Sequence, residues 1–199
     1  MRLPSILIAV CFLASAASPA LAKKGPPKLK QLQGLVDEIG KDKELSDDAW
    51  KAIKAADRCA NSDLIWERAM EPEQQTPIDM MFEQLASGVT CWQGAEKKAA
   101  KTAEELPRLS AFVVARARYV EAMRGFYDAF RAKAVGDMNQ TCKRFRVAVT
   151  QAAAAVESSE GLQDKFGEVD NKTLALTIEQ KSAGIAGVIS SEYENQNCN

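Results

Sequence analysis

Apolar positions recur every three or four residues along nearly the whole chain from residue 29 onward, the spacing that lines one face of an α-helix. A short run after Pro26-Pro27 sets Leu29, Leu32, Val36 and Ile39 on one face and stops at Gly40. Ser46, followed by Asp47 and Asp48, is a good N-cap, and a second run passes through Trp50, Ile53, Leu64 and Met70 towards residue 71. Asn61-Ser62 is a candidate break within it. Thr76-Pro77-Ile78-Asp79 opens a third run, carrying Ile78, Met81, Phe82, Leu85, Val89 and Trp92, with a bend expected at Gly94 and continuation to about residue 105. Pro107 marks the next break, before Leu109, Phe112, Val113, Tyr119, Val120, Met123, Phe126, Tyr127 and Phe130; Gly136 ends that stretch.

Asp137 with Gln140 predicts another cap. The stripe beyond it (Met138, Cys142, Phe145, Val149, Ala152, Val156) alternates steps of four and three, like the seam of a coiled coil. Residues 157–170 read two ways, since Leu162 and Phe166 extend the stripe while Gly161 and Gly167 interrupt it. A last helix is expected from near Asn171, with Leu174, Ile178, Ile185 and Val188 inward and Ala183, Gly184, Ala186 and Gly187 permitting close packing. There are few β-branched runs and no internal repeat. Long helices joined by short turns place sequence neighbours antiparallel, so the expected fold is all-α, an up-and-down bundle of four to six helices.

The segment before this pattern has a different character. Arg2, the apolar stretch LPSILIAVCFLASAA and the small residues of Ala20-Leu21-Ala22 have the order of a secretory signal. Its apolar run of about 15 residues is short for a bilayer crossing, which takes roughly 20. Cleavage after Ala22 is therefore expected, dividing the chain into a signal peptide (1–22), a basic proline-containing tail with Lys23, Lys24, Lys28 and Lys30 (23–30), and one helical domain (31–199). No transmembrane anchor is expected after processing. The implied location is secreted, periplasmic or extracellular.

Export changes how the cysteines are read. Cys11 falls in the signal, leaving Cys59, Cys91, Cys142 and Cys198, an even set that permits three pairings. Residues equidistant from the turn between antiparallel helices lie at the same height. Cys59 and Cys91 lie about 15 and 16 residues either side of a turn near residue 74 or 75, heights of roughly 23 and 25 Å. Cys142 and Cys198 lie about 26 and 30 residues from a turn near residue 168, and a loose tail absorbs the difference of roughly 6 Å. The expected staples are Cys59–Cys91 and Cys142–Cys198.

The chain contains no histidine. That excludes Ser-His-Asp and Cys-His catalysis, H-E-x-x-H zinc sites and C-x-x-C-H haem attachment. Neither a P-loop, a G-x-S-x-G elbow nor an EF-hand loop occurs, and no catalytic residue, metal or cofactor is assigned. Overall charge is −1 but unevenly spread: residues 31–106 hold 9 basic and 16 acidic side chains, residues 107–150 hold 9 and 3, and residues 151–199 hold 3 and 8. The basic stretch offers Arg118, Arg124, Arg131, Lys143, Arg144 and Arg146 as a candidate anion-facing surface, against the simpler reading that acidic neighbours neutralise them. Nucleic acid is not an expected partner, because the acidic remainder would repel it.

Arg116 is the sharper feature. It falls within the apolar arc of its helix, where an unpaired charge costs several kcal/mol. Asp57, Glu96 and Lys181 interrupt the stripes of their own helices, so these four residues form the candidate ligand site, with Arg116 forking onto an anion. A structural ion pair of Arg116 with Asp57 or Glu96 is the plainer alternative. The leading expectation is an exported, non-enzymatic bundle that engages an envelope or extracellular macromolecule through its helix surfaces. The alternative is a carrier or sensor of a small anion centred on Arg116, and third comes a hydrolase built on paired carboxylates.

Overall fold

Ser46 starts the first described helix as its chemistry dictates. Its Oγ accepts the Ala49 N–H at 3.1 Å, while Asp47 and Asp48 sit in the positive first turn. The Ser46 N–H and Oγ–H in turn donate to the Glu105 carboxylate at 2.8 and 2.6 Å, tying this helix start to a distant loop. The computed structural model describes residue 32, residues 45–165 and residues 169–198. Among them are five α-helices and no strand: α1 (Asp47–Ala69), α2 (Ile78–Ala99), α3 (Pro107–Ala134), α4 (Met138–Ser159) and α5 (Val169–Asn195). Each packs on its neighbours in sequence, and α3 also packs on α5. The fold is an all-α up-and-down bundle. The signal, the basic tail and the expected helix over 29–40 lie outside the described residues, except that Leu32 is fully buried in the core.

Several local expectations are corrected. The second run does not break at Asn61-Ser62, because α1 is continuous through both. The residue before α2 is Pro77 rather than a capping Thr76, and no side chain caps that helix end. Gly94 does not bend α2; the helix runs on to Ala99 and tightens into a 3-10 turn at Ala100–Thr102. Pro107 occupies the first position of α3, where its missing N–H leaves no partner unsatisfied. Asp137 caps α4 through the Gln140 N–H at 2.9 Å. That helix stops at Ser159, Gly161 adopts a left-handed φ of 64°, and a 3-10 turn spans Gln163–Lys165. Leu162 is thus buried from a loop and not from a prolonged helix.

The α4 seam is rotated from the expected stripe. Thr141, Phe145, Ala148, Ala152, Ala155 and Ser159 face inward, and Met138 is half exposed. Small residues on this face let α3 come close. A Cβ built on Gly125 would lie 3.3 Å from the Ala148 Cα and would collide with the Gln151 carboxamide. In α5, Ile189 is buried while Val188 points out, and Gly184 and Gly187 face open space instead of a packed neighbour. In α1, Leu64 likewise points out, and Trp66 takes the inward position.

Both staples join the expected cysteines. Cys59–Cys91 links α1 to α2 with Cα atoms 5.7 Å apart, and Cys142–Cys198 links α4 to the segment after α5 at 5.1 Å. The second does not rely on a turn near residue 168. With 27 residues α5 outruns the 22 of α4, and Asn197 at φ 51° turns the chain so that Cys198 meets Cys142. The Tyr193 hydroxyl donates to the Cys198 carbonyl at 2.7 Å and holds this end in place.

Candidate functional site

The charged residues inside the bundle converge on Asp63, which is 1% exposed. An unbroken α1 puts Asp63, Trp66 and Glu67 on one inward face, since positions three and four apart share a side of a helix. The Asp63 carboxylate accepts three bonds: Trp66 Nε1 at 2.9 Å, Trp92 Nε1 of α2 at 2.9 Å and Arg116 Nε of α3 at 2.8 Å. Arg116 Nη2 donates to Glu67 at 2.7 Å, and Lys181 Nζ of α5 donates to the same Glu67 oxygen at 2.9 Å. Two carboxylates and two cations therefore close a neutral cluster that joins four of the five helices.

Aromatic rings wall the cluster. The Arg116 guanidinium carbon lies 5.5 Å from the Trp66 ring centre and 5.2 Å from that of Tyr119. Burial on its own would favour the neutral form of Arg116, but the charges and hydrogen bonds of Asp63 and Glu67 outweigh it and push the pKa upward. For Glu67 the order is the same: burial works against the carboxylate, and Arg116 and Lys181 overcome it, so its pKa falls. Burial lifts the Tyr119 phenol to about 12, with Arg116 only partly offsetting it.

Of the four residues expected to form one site, Arg116 and Lys181 meet through Glu67. Asp57 and Glu96 lie elsewhere. Asp57 is buried on α1 six residues before Asp63 and accepts the Leu32 N–H at 3.0 Å. Glu96 binds Arg118 at 2.9 Å, and Arg118 also reaches Glu121 at 3.1 Å. Arg116 is thus held by Asp63 and Glu67, neither of which the sequence reading assigned to it. A ligand anion at Arg116 would have to displace a carboxylate already in hydrogen-bond contact.

The expected basic surface is divided. Arg118 is paired as described, Arg131 donates to Asp79 at 2.6 Å, and Arg144 bonds Asp128. Arg131 and Arg124 both lie over the Phe82 ring, at 4.3 and 5.0 Å from its centre. Among the described residues, Arg124, Lys143 and Arg146 are exposed and form no ion pair. No grouping of His, Cys, Asp and Glu among the described residues is placed to hold a metal ion. No described helix is long and apolar enough to cross a membrane.

Fold and cluster together define a disulfide-stapled helical bundle with a neutral, internally saturated ionic centre. No family model, curated protein or solved structure matches the chain.

Proposed function

We propose that the protein is an exported, non-enzymatic binding module that engages another macromolecule of the bacterial envelope or extracellular space through its helix surfaces. The supporting observation is the contrast between interior and surface. The buried charges of the central cluster are partnered with one another, whereas eight large apolar side chains among the described residues stand exposed, including Ile65 at 62% and Val135 at 80%. Contiguous exposed apolar surface marks an interaction site, and the exposed pair Leu64–Ile65 on α1 is the candidate for it. The two disulfides suit an oxidising compartment and hold those surfaces in fixed relation.

Photoreactive residues placed singly at Ile65, Val147 and Val188, in protein made by its native host, test this reading. A saturable adduct with a lipid or a protein at one or more positions is the expected result. The absence of any adduct, with the protein migrating alone in extracts of the envelope and medium, would remove the reading. Recovery of the chain with an N-terminus other than Lys23 would correct its processing.

A further inference from the structure

The signs of charge on α1 are sorted by burial. Between Lys51 and Arg68, the carboxylates Asp63 and Glu67 turn towards the neighbouring helices, where each has partners. Asp57, about 20° from Arg68 around the helix, is buried against the Leu32 N–H. The four cations Lys51, Lys54, Arg58 and Arg68 are all exposed. Lys51 pairs with Asp48, but among the described residues Lys54, Arg58 and Arg68 have no carboxylate partner. At 100° per residue, Lys54, Arg58, Ile65 and Arg68 fall within an arc of about 80°, spread along roughly 21 Å of the helix axis. Ile65 is 62% exposed, and Leu64 beside it is 41% exposed. The interior thus takes up the acids between Lys51 and Arg68 and, beyond the exposed Asp47 and Asp48 of the first turn, leaves a positive outer face with Ile65 at its centre.

We infer that the outer face of α1 docks on a membrane leaflet bearing anionic lipid headgroups, with Lys54, Arg58 and Arg68 at the phosphates and Ile65 and Leu64 entering the headgroup boundary. The proposal rests on the binding-module reading and names its surface and partner. Charge complementarity selects the occupant. A helix lying in the interface plane places cations at the phosphate level and aliphatic side chains below it, and lysine and arginine stems reach outward to permit this. An acidic protein would satisfy the cations but gives no reason for an aliphatic side chain, Ile65, projecting between them with Leu64 exposed on its flank.

The test uses the mature, oxidised protein with phosphatidylcholine vesicles, with and without phosphatidylglycerol, in a sedimentation assay. Binding is expected only to the phosphatidylglycerol vesicles, and it should weaken as salt is added. Each cation near an anionic surface contributes about fivefold to partitioning, so K54Q/R58Q should bind about 25-fold more weakly. I65N should also reduce binding, while unfolding midpoints stay at the wild-type value because these positions are exposed. Failure to bind anionic vesicles, or undiminished binding by K54Q/R58Q, overturns the proposal. So does binding abolished only when Lys23, Lys24, Lys28 and Lys30 are changed to glutamine, which would assign it to the tail. A protein adduct at position 65 without vesicle binding would overturn the lipid proposal yet leave the binding-module reading standing.

Discussion

Replacing Asp63 by asparagine probes the centre of the bundle with almost no change of shape. The aspartate offers one oxygen to Trp66 Nε1 and the other to both Trp92 Nε1 and Arg116 Nε. Asparagine offers one oxygen and an NH2 group, so whichever way the amide turns, a donor faces a donor. Facing its oxygen towards Trp92 and Arg116 orphans the Trp66 indole, at a cost of about 1–3 kcal/mol for a buried unsatisfied group. Arg116 also exchanges a charged acceptor for a neutral one, a further loss of about 1.5–3 kcal/mol for a charge-assisted bond. The two together come to about 2.5–6 kcal/mol, which brackets the loss of about 3–5 kcal/mol found when one partner of a buried ion pair is removed. Against a total stability of about 5–15 kcal/mol, the variant should be marginal but still folded while its disulfides are intact. Urea unfolding without reductant, followed by tryptophan fluorescence and far-UV circular dichroism, measures the loss. A change below about 1 kcal/mol would show that Asp63 does not carry the buried charge of Arg116, and the account of the cluster would fail.

Three further outcomes test other parts of the structure. Breaking Cys59–Cys91 or Cys142–Cys198 by paired serine substitution should cost about 4 kcal/mol each, slightly more for the separation of 56 residues than for that of 32. Equal stability of both variants and wild type in urea would refute the staple role. Gly88 and Gly94 on α2 should respond oppositely to a larger residue. Gly88→Val meets Val120 Cγ1 at 3.2 Å and should destabilise by about 1–3 kcal/mol, whereas Gly94→Ala enters open space and should stabilise by about 0.5–1 kcal/mol in the same unfolding assay. Stability should fall at both pH extremes. The folded pKa of Tyr119 is raised to about 12, so its contribution is full below the unfolded value near 10 and is lost between about pH 10 and 12. The folded pKa of Glu67 is lowered, so its contribution is present above the unfolded value of 4.5 and is lost as pH falls through the folded one. Urea midpoints measured across pH check both signs, and Tyr119→Phe should flatten the alkaline limb.

The helices, the Asp137 cap and the Cys59–Cys91 pairing could be read in the sequence because they depend on local spacing and on height from a turn, and the Cys142–Cys198 pairing followed once the first pair was assigned. The partners of Arg116 could not be read in the same way, because they depend on the rotational phase of α1. The apolar spacing alone points to Leu64, which lies eleven residues from Ile53 and so on the same side of the helix, and it gives no weight to the carboxylates Asp63 and Glu67. On a continuous helix Leu64 still falls about 20° from Ile53, so phase does not turn it out. It is exposed because the packing that buries Ile53 does not extend that far along α1, while Asp63 and Glu67 face α2, α3 and α5. One signal pointed to the answer: a buried tryptophan needs an acceptor for its indole N–H, and Asp63 stands three residues before Trp66. The α4 stripe is rotated for a related reason, whereas in α5 Ile178 and Ile185 are buried as expected and only Val188 gives way to Ile189. The inward face of α4 uses alanine, threonine and serine, which carry no bulky apolar signal, while Met138 remains outside.

The most direct test of a stapled bundle folded in an oxidising compartment is peptide mapping of the native protein, alkylated and digested without reduction. The account predicts one cross-linked pair of peptides containing Cys59 and Cys91, another containing Cys142 and Cys198, and no alkylated thiol among the four. Free thiols at these positions, or cysteines of α1 and α2 bridged to those of α4 and the C-terminal segment, would contradict it.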